Sequence, residues 1–451
     1  MKNQRRDFIK NTTLGAVALS IPNFANAFAG SLKVEDSTIN IGVIGCNGMG
    51  WSNTLSMLKN SGVNLVGICD VDQNVVNRRL SEMQEKDLEL SKKIKTYRDY
   101  RDLLRNKDIQ AVIIGTPDHW HCKIMVDACA AQKAIYVEKP IANTIEECQL
   151  MVSAAKKYNT IVQVGQWQRS GPHYREAIDL VQSGKLGKIR LVKVWAYQGW
   201  MKPVVPVADS EPPKGVDYKF WLGPAPERAF NSNRFHFNFR WFWDYAGGLM
   251  TDWGVHEIDI ALNAMGATVP KSVVASGGKL AYPNDASETP DTLQALFEYE
   301  DFNMLWEHAT GIDLGPYGKR EGIAFIGNKG TLVLNRDGYE VLVEHESQGY
   351  SNSGDAKMNS VTAKRRPAGV DYLDLHTKNF LEAVRKSNSD ILHTPIESGS
   401  IAAINAQMGN IAYKTGEKLF WDAKRNQFAN NDKANGYLGS KYNHGWVKPE
   451  V

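Results

Sequence analysis

The first third of the chain alternates short apolar runs with longer stretches of helical periodicity. Four apolar runs, at 38–45, 64–69, 110–114 and 134–137, each end at a turn that contains glycine, proline or an acidic residue. Strands buried on both faces read as continuous apolar runs, and helices usually connect parallel strands. The pattern therefore predicts an open parallel sheet of Rossmann type, with its ligand site at the carboxyl ends of the strands.

The pattern changes after residue 160. Strand-like segments now follow one another with few helices between them, which is typical of a mostly antiparallel sheet. These segments are 189–198, 271–279, 292–309, 321–327 and 331–334, and two amphipathic stretches at 371–387 and 396–415 predict helices. The predicted fold class is α/β, with an N-terminal Rossmann dinucleotide-binding domain and a C-terminal α+β domain that has a large, mostly antiparallel open sheet.

Composition and charge narrow the class of protein. The chain has 451 residues, of which 43% are hydrophobic and 23% charged, and these proportions exclude disordered and fibrous chains. A formal net charge of +3 argues against nucleic acid as the main partner, because phosphate binding needs a concentrated excess of Lys and Arg. We predict the Rossmann domain at 38–160, a substrate-binding domain at 161–423, and a C-terminal tail at 424–451 that wraps this domain or a neighbouring subunit.

Residues 1–30 differ from everything that follows. A basic head with the pair Arg5-Arg6 precedes a modest apolar stretch, which is shorter than the about 20 residues that span a bilayer. The head resembles the twin-arginine export signal, and a short basic amphipathic N-terminus is the alternative. The resemblance implies a periplasmic protein without stable membrane insertion, exported already folded and often with a cofactor inside.

The five cysteines all lie in the first third of the chain, and none has C-x-x-C spacing. This number and spacing predict neither a disulfide framework nor a zinc site. A catalytic thiol is one interpretation, but free cysteines are more often small buried apolar residues. We therefore expect the cysteines to be buried.

The first apolar run ends in the glycine-rich turn GCNGMG at 45–50. A strand, a tight turn and a helix N-terminus form a phosphate site, since free backbone N–H groups and the helix dipole face the anion. Gly45 and Gly50 occupy the outer positions of G-x-G-x-x-G. Asn47 replaces the middle glycine, and either its tolerance of left-handed backbone or the neighbouring Gly48 would compensate.

Asp70 ends the second apolar run, twenty residues after Gly50. A carboxylate at this point accepts both ribose hydroxyls of an adenosine and repels a 2′-phosphate, which favours NAD over NADP. The alternative role for Asp70 is a helix cap or turn residue.

Lys139 follows the fourth apolar run, in the segment VEKP at 137–140. A lysine at a strand end beside a nicotinamide can exchange a proton with a substrate hydroxyl, although a surface lysine at a turn fits the pattern equally well. With IGVIGCNGMG at 41–50 and GTPDHWH at 115–121, the segment resembles the glucose-fructose oxidoreductase, inositol dehydrogenase and rhizopine-catabolism (Gfo/Idh/MocA) family of NAD(P)-dependent sugar oxidoreductases. The resemblance covers nearly all of the chain after residue 30 and implies that Lys139 is the active-site lysine.

A glycine-led segment, AGGLMTDWGVHEID at 246–259, predicts a helix that carries Asp252 and His256 on one face. An isolated pair of this kind is more often structural. The family resemblance reverses this interpretation and implies that Asp252 holds the reactive hydroxyl and that His256 is the general base or acid.

The resemblance also implies the remaining site residues. The predicted cofactor-binding residues are Gly45, Asn47, Gly48, Met49, Gly50, Asp70, Thr116, Pro117, His121, Glu138 and Lys139. The predicted substrate-binding residues are Gln166, Arg169, Trp241, Asp252 and His256. A metal site built from His119, His121, Asp252 and His256 is the alternative, which we disfavour because the first two imidazoles point to opposite sides of an extended chain and hydride transfer needs no metal.

Aromatic residues are concentrated between Trp195 and Trp253, in a chain with 12 Trp, 17 Tyr and 15 Phe. Core packing explains most of them. The stretch 234–244, however, interleaves rings with polar groups, which suits a pocket that stacks rings on sugar C–H faces. Its two basic residues are too few to favour nucleotide stacking.

The prediction is an NAD-dependent oxidoreductase that acts on a ring hydroxyl of a sugar or glycoside and functions as a homo-oligomer. Export implies a tightly bound cofactor that is recycled in place, and family chemistry favours a 3-keto-glycoside as product or substrate. Two alternatives remain open: a redox-neutral NAD-dependent glycosidase, and a non-catalytic carbohydrate-binding protein on a dehydrogenase fold.

Overall fold

Six parallel strands form the first sheet of the computed structural model, which describes residues 38–351 and 354–451. The strands are β1 (Ile39–Ile44), β2 (Val63–Cys69), β3 (Lys95–Tyr97), β4 (Ala111–Ile114), β5 (Ala134–Val137) and β6 (Val162–Val164). The helices between them are α1 (Gly48–Met57), α2 (Gln73–Lys86), α3 (Leu88–Ser91), α4 (Tyr100–Arg105), α5 (Asp118–Ala130) and α6 (Ile145–Tyr158).

The strand order in this sheet is β3-β2-β1-β4-β5-β6. The order reverses direction between β1 and β4, so the turns that follow these two strands diverge and leave a crevice at the carboxyl edge. All four residues of β4 are buried, as expected for a strand covered by helices on both faces. The predicted parallel sheet is confirmed, and its crevice lies at the turns 45–50 and 115–117.

Ten strands form the second sheet, and its pairs are antiparallel except for one. Its strands are β7 (Ile189–Gln198), β8 (Ser272–Gly278), β9 (Thr292–Glu298), β10 (Asn303–Thr310), β11 (Glu321–Gly327), β12 (Gly330–Asn335), β13 (Gly338–Val343), β14 (Lys364–Arg365), β15 (Leu419–Asp422) and β16 (Gln427–Phe428). The order is β14-β13-β12-β11-β7-β10-β9-β8-β15-β16, with β7 and β10 parallel. The predicted large, mostly antiparallel sheet is confirmed, although the single segment predicted at 292–309 is a hairpin of β9 and β10.

Helices accompany the second sheet. They are α7 (Pro172–Gln182), α8 (Tyr218–Leu222), α9 (Leu249–Asp252), α10 (Gly254–Met265), α11 (Tyr372–Lys386), α12 (Ile396–Thr415) and α13 (Asp432–Asn435), with 3-10 turns at Trp167–Ser170, Ser232–Arg234, His236–Trp241, Pro316–Gly318 and Ser389–Ile391. The long helices α11 and α12 lie where the amphipathic stretches predicted them. The largest hydrophobic cluster joins α7, α10 and α12 to one face of the sheet.

The opposite face of the second sheet carries exposed apolar side chains on separate strands. Leu191, Val274, Leu296, Leu342 and Phe420 are all exposed. Large exposed apolar patches often mark protein interfaces. Homo-oligomerisation stays a prediction.

All five cysteines are free and buried, as predicted. The twin-arginine segment lies outside the described residues, so export and periplasmic location stay predictions. Within residues 38–351 and 354–451, no helix combines the length and the apolar character that a bilayer crossing requires.

Candidate active site

A cavity of about 540 Å³ opens at the carboxyl edge of the first sheet. Its wall includes every predicted cofactor residue except Gly50, and it continues onto aromatic side chains of the segment 220–239. The predicted residues on this wall are Gly45, Asn47, Gly48, Met49, Asp70, Thr116, Pro117, His121, Glu138 and Lys139. The volume is within the range of small-molecule and cofactor sites.

The glycine turn is shaped by close backbone packing. A Cβ on Gly45 would lie 2.6 Å from the backbone nitrogen of Thr116, and a Cβ on Gly50 would overlap the carbonyl oxygen of Gly45. Gly48 has a φ of +45° and open space where a Cβ would stand. Asn47 is extended, with a φ of −95°, so the second of the two predicted alternatives is confirmed: Gly48 takes the left-handed conformation, where glycine has no steric penalty.

Asp70 is fixed at the end of β2 by groups of the neighbouring turns. One carboxylate oxygen accepts a 2.9 Å hydrogen bond from the backbone N–H of Cys46, and the other accepts one of 3.1 Å from Asp72. Burial raises the pKa of the Asp70 carboxyl, and these backbone hydrogen bonds oppose the rise. Asp72, not Asp70, caps α2, because its side chain accepts the Asn74 N–H. The carboxylate of Asp70 is thus held at the cavity wall without serving as the cap.

Buried polar groups hold the part of the cavity wall that follows β4 and β5. The ring nitrogens of His121 lie 2.8 Å from the carbonyl oxygens of Thr116 and Pro140. Glu138 accepts a 2.7 Å hydrogen bond from the side chain of Asn53. These contacts fix the segments after β4 and β5 in position.

Lys139 joins the two halves of the site through Asp252. Its ammonium nitrogen lies 2.8 Å from a carboxylate oxygen of Asp252 and 3.0 Å from the Asp252 carbonyl oxygen. The Nε of Arg240 donates to the same carboxylate oxygen over 3.1 Å. Burial alone would raise the pKa of Asp252, but the charges of Lys139 and Arg240 lower it well below its ordinary value. Asp252 is therefore a carboxylate at neutral pH, and it orients the lysine.

His256 lies one turn beyond Asp252, outside the wall of the 540 Å³ cavity. Its ring is close to those of Trp167 and Trp253, at centroid distances of 5.8 and 6.4 Å. Neither ring nitrogen makes a hydrogen bond within the described part of the chain, and Nδ1 is buried. Burial, with the charges of Lys139 and Arg336, lowers the pKa of His256 well below its ordinary value. The imidazole is thus neutral at neutral pH.

Three predicted substrate residues are already engaged by the protein. Gln166 donates a 2.9 Å hydrogen bond to the carbonyl of Val255, and Arg169 forms two 2.7 Å hydrogen bonds with the buried Asp259. Trp241 is buried in the hydrophobic cluster behind the cavity wall that also contains Trp221 and Phe239. The structure does not place these three side chains on the cavity wall.

Several residues of the cavity wall were not among the predictions. They include Asp118, Arg240, His236, Phe220 and Trp221. The chain returns to the first sheet at His236, whose Nε2 lies 2.9 Å from the carboxylate of Asp72. The interleaved rings of 234–244 were the only sequence signal that this segment contributes to the site, and two of them, Phe237 and Phe239, do line the cavity.

Burial of Asp118 makes the free energy of unfolding depend on pH. Burial raises its pKa to about 8, although Arg240 and Lys139 oppose the rise. Between the ordinary Asp pKa of about 4 and pH 8, the folded chain keeps a proton here that the unfolded chain has lost. Stability from this group therefore falls as pH rises through that window. We expect Asp118→Asn to leave the free energy of unfolding unchanged at about pH 4 and to increase it progressively up to about pH 8.

Urea unfolding across this pH range measures the effect. The matched control is Asp179→Asn, at an exposed carboxyl of α7, for which we expect no such trend. Equal pH dependence in the two variants would contradict the assignment.

The residues present fit a dinucleotide. Free backbone N–H groups at the start of α1, beside the open space at Gly48, suit a pyrophosphate. The Asp70 carboxylate suits ribose hydroxyls, and the buried Thr116 hydroxyl lacks a hydrogen-bond partner. Asp70 follows β2 and Lys139 follows β5, three strands away at roughly 4.8 Å per strand, so the cavity spans roughly 14 Å. Across the described ranges, no group of three or more His, Cys, Asp or Glu side chains is arranged to hold a metal.

Two family models match successive parts of the chain. Residues 39–166 match the NAD-binding Rossmann fold of an oxidoreductase family, the Gfo/Idh/MocA family, and residues 173–299 match the C-terminal alpha/beta domain of the same family. The first part of the chain is thus an NAD-binding Rossmann domain.

Curated relatives and solved structures agree with these matches. The chain is 33% identical to inositol 2-dehydrogenase of Salmonella paratyphi B over 158 residues, which are 34% of this chain and 45% of that protein. It is 29% identical to alpha-N-acetylgalactosaminidase of Shewanella oneidensis over 184 residues, which are 40% of each chain. The matched segments thus span less than half of these two relatives. A levoglucosan dehydrogenase, solved with NADH and levoglucosan, has the same fold, with a TM-score of 0.62 at 18% identity over 85% of this chain and 99% of that one.

Proposed function

Because the chain belongs to the Gfo/Idh/MocA oxidoreductase family, we propose that it oxidises or reduces a ring hydroxyl of a sugar or glycoside with NAD. The observation that carries this proposal is the Lys139–Asp252 pair at the edge of the dinucleotide cavity. A lysine held by a carboxylate at this point is suited to polarise a hydroxyl or carbonyl oxygen. The relative named above, inositol 2-dehydrogenase, is named for a cyclic polyol, and the levoglucosan dehydrogenase of the same fold is named for an anhydrosugar.

The cofactor, when bound, accepts or donates a hydride. The turn 45–50 would hold its pyrophosphate and Asp70 its adenosine ribose. An ammonium group has three N–H bonds, and Asp252 engages two of those on Lys139 through its carboxylate and carbonyl oxygens. The third N–H is left for the oxygen of the substrate.

His256 is the proposed proton acceptor during oxidation. Its lowered pKa keeps it neutral, and neither ring nitrogen is occupied by another described residue. As the substrate C–H leaves as hydride, the hydroxyl proton passes to His256, and the alcohol becomes a ketone. The reverse sequence reduces a ketone. General acid–base assistance of this kind contributes about 10²- to 10⁴-fold to the rate.

The cofactor is proposed to stay bound and to be recycled. An export signal at residues 1–30 would place the protein where free NAD is scarce, so one substrate would reduce the cofactor and a second sugar would reoxidise it. Oxidation at carbon 3 of a glycoside is the favoured reaction, because a ketone there acidifies the neighbouring C–H bond.

Purification of the full chain without added NAD tests both parts of this proposal. We expect the denatured protein to release NAD, identified by mass. We expect glycosides to produce the absorbance of reduced nicotinamide at stoichiometric enzyme, and 3-keto-glycosides to remove it.

Each of the other outcomes rejects one part of the proposal. A cofactor-free protein that turns over only with added NAD would reject recycling but keep the oxidoreductase. Release of aglycone without net keto-sugar would replace the oxidoreductase with a redox-neutral glycosidase, the activity named for the Shewanella relative. Absence of any redox change with a broad sugar panel would favour a non-catalytic carbohydrate-binding protein.

A further inference from the structure

The end of the chain returns to the dinucleotide-binding domain. The backbone N–H of Glu146 donates a 2.8 Å hydrogen bond to the carbonyl of Leu438. The hydroxyl of Tyr442 donates to the buried carboxylate of Glu147 over 2.8 Å, and Lys448 pairs with Glu146 at 2.5 Å. Residues 436–448, here named the C-terminal strap, are thus attached to the first turn of α6.

Trp446 inserts the strap into a cluster of aromatic rings. Its ring meets that of Trp120 edge-on at a centroid distance of 4.8 Å, and those of Phe220 and Tyr100 at 5.5 and 6.4 Å. The guanidinium of Arg101 lies 5.0 Å from the Trp446 ring centre. These contacts join three separate segments of the chain to the strap.

The three rings that Trp446 contacts also line the cavity, whereas Trp446 itself does not. Arg98 and Asp70 also line the cavity, and the backbone N–H of Asp70 donates a 3.3 Å hydrogen bond to the carbonyl of Tyr97, in the segment that leads to Tyr100. Two of the three rings are anchored by hydrogen bonds: Tyr100 donates to Asp127 over 2.6 Å, and the indole of Trp120 donates to the Trp221 carbonyl over 2.9 Å. Phe220 makes ring contacts only with Tyr100, Trp120 and Trp446 within the described residues. The strap therefore supports this wall from behind.

An aromatic wall beside a carboxylate has the chemistry of an adenosine site: rings for a purine, and carboxylate oxygens for ribose hydroxyls. We propose that Trp446 is a positioning residue that holds this wall closed and slows release of the adenosine half of the dinucleotide. The inference rests on the proposed function in one respect, that NAD is the ligand. It makes retention of the cofactor depend on the last residues of the chain.

The test measures binding as well as turnover. Trp446→Ala removes the three ring contacts, and we expect about a tenfold increase in the Kd for NADH and for AMP, with faster release of NADH into a trap of excess NAD. The affinity for nicotinamide mononucleotide and kcat at saturating NAD should stay within about twofold. Trp446→Phe keeps an aromatic ring at this position and should restore most of the AMP affinity.

The matched control is Trp421→Ala. Trp421 is another tryptophan near the C-terminus, and its ring packs on Phe428 at 5.1 Å, away from the cavity. An unchanged AMP affinity in Trp446→Ala, or an equal loss in Trp421→Ala, would overturn the strap's role while NAD binding by the parent protein still stands. A parent protein that binds neither NADH nor AMP would overturn the proposed function as well. If Trp446→Ala fails to fold, Trp446→Leu, which keeps an apolar side chain but removes the ring contacts, takes its place, and a rate of NADH release equal to that of the parent in folded Trp446→Leu overturns the proposal.

Discussion

Replacement of Lys139 by alanine is expected to lower kcat by about 10²- to 10⁴-fold while NADH affinity changes by less than about threefold. Among the described residues the lysine supplies the only ammonium group on the cavity wall, and its free N–H is the donor proposed for the substrate oxygen. The variant should still fold, because Asp252 keeps its 3.1 Å hydrogen bond with Arg240 and is not left as an unpaired buried charge. Steady-state kinetics and NADH titration measure the two effects.

Lys123→Ala is the matched control for this variant. Lys123 is another largely buried lysine of the same domain, paired with Asp127 at 2.7 Å, and it does not line the cavity. We expect its kcat to stay close to that of the parent. A Lys139→Ala protein with unchanged turnover, or a control with an equal loss, would contradict the assigned role.

The glycine turn and Lys139 could be predicted because their signals are local. A strand, a turn and a helix N-terminus succeed one another within a dozen residues, and backbone geometry then determines where the phosphate site lies. The conformation of the turn was less predictable: the left-handed residue is Gly48, and Asn47 is extended. Either position satisfies the sequence pattern, so the pattern alone does not select between them.

Partners distant in sequence account for most of what was not predicted. A polar loop residue such as Arg169 is a reasonable substrate ligand until its carboxylate partner, Asp259, is found ninety residues away. The role of Arg240 at Asp252 likewise depends on how α9 meets the preceding 3-10 turn. The sequence of the strap has no hydrophobic period that predicts its structure. Its position depends on Trp446, which packs on rings from three segments more than two hundred residues earlier. Charge, burial and pairing at these positions are properties of the tertiary structure.

Two alanine substitutions in the glycine turn should differ in what they affect most: Gly50→Ala the stability, and Gly48→Ala the binding of NADH. Gly50→Ala places a Cβ on the Gly45 carbonyl oxygen, where backbone rather than a flexible side chain would have to move. We expect the free energy of unfolding to fall by about 3 kcal/mol or more. Gly48→Ala meets open space and only the strain of its positive φ, so we expect a loss of roughly 1–2 kcal/mol.

The affinity for NADH should be the property that Gly48→Ala changes most. The open space at Gly48 is where the pyrophosphate is expected, so a methyl group there should weaken NADH binding by at least about tenfold in a protein that is still folded. Urea unfolding and NADH titration on the same preparations measure both quantities. A Gly48→Ala protein with the affinity of the parent would show that the pyrophosphate lies elsewhere. A Gly50→Ala protein with the stability of the parent would show that the turn relaxes without cost, contrary to the close packing of Gly45, Gly50 and Gly115.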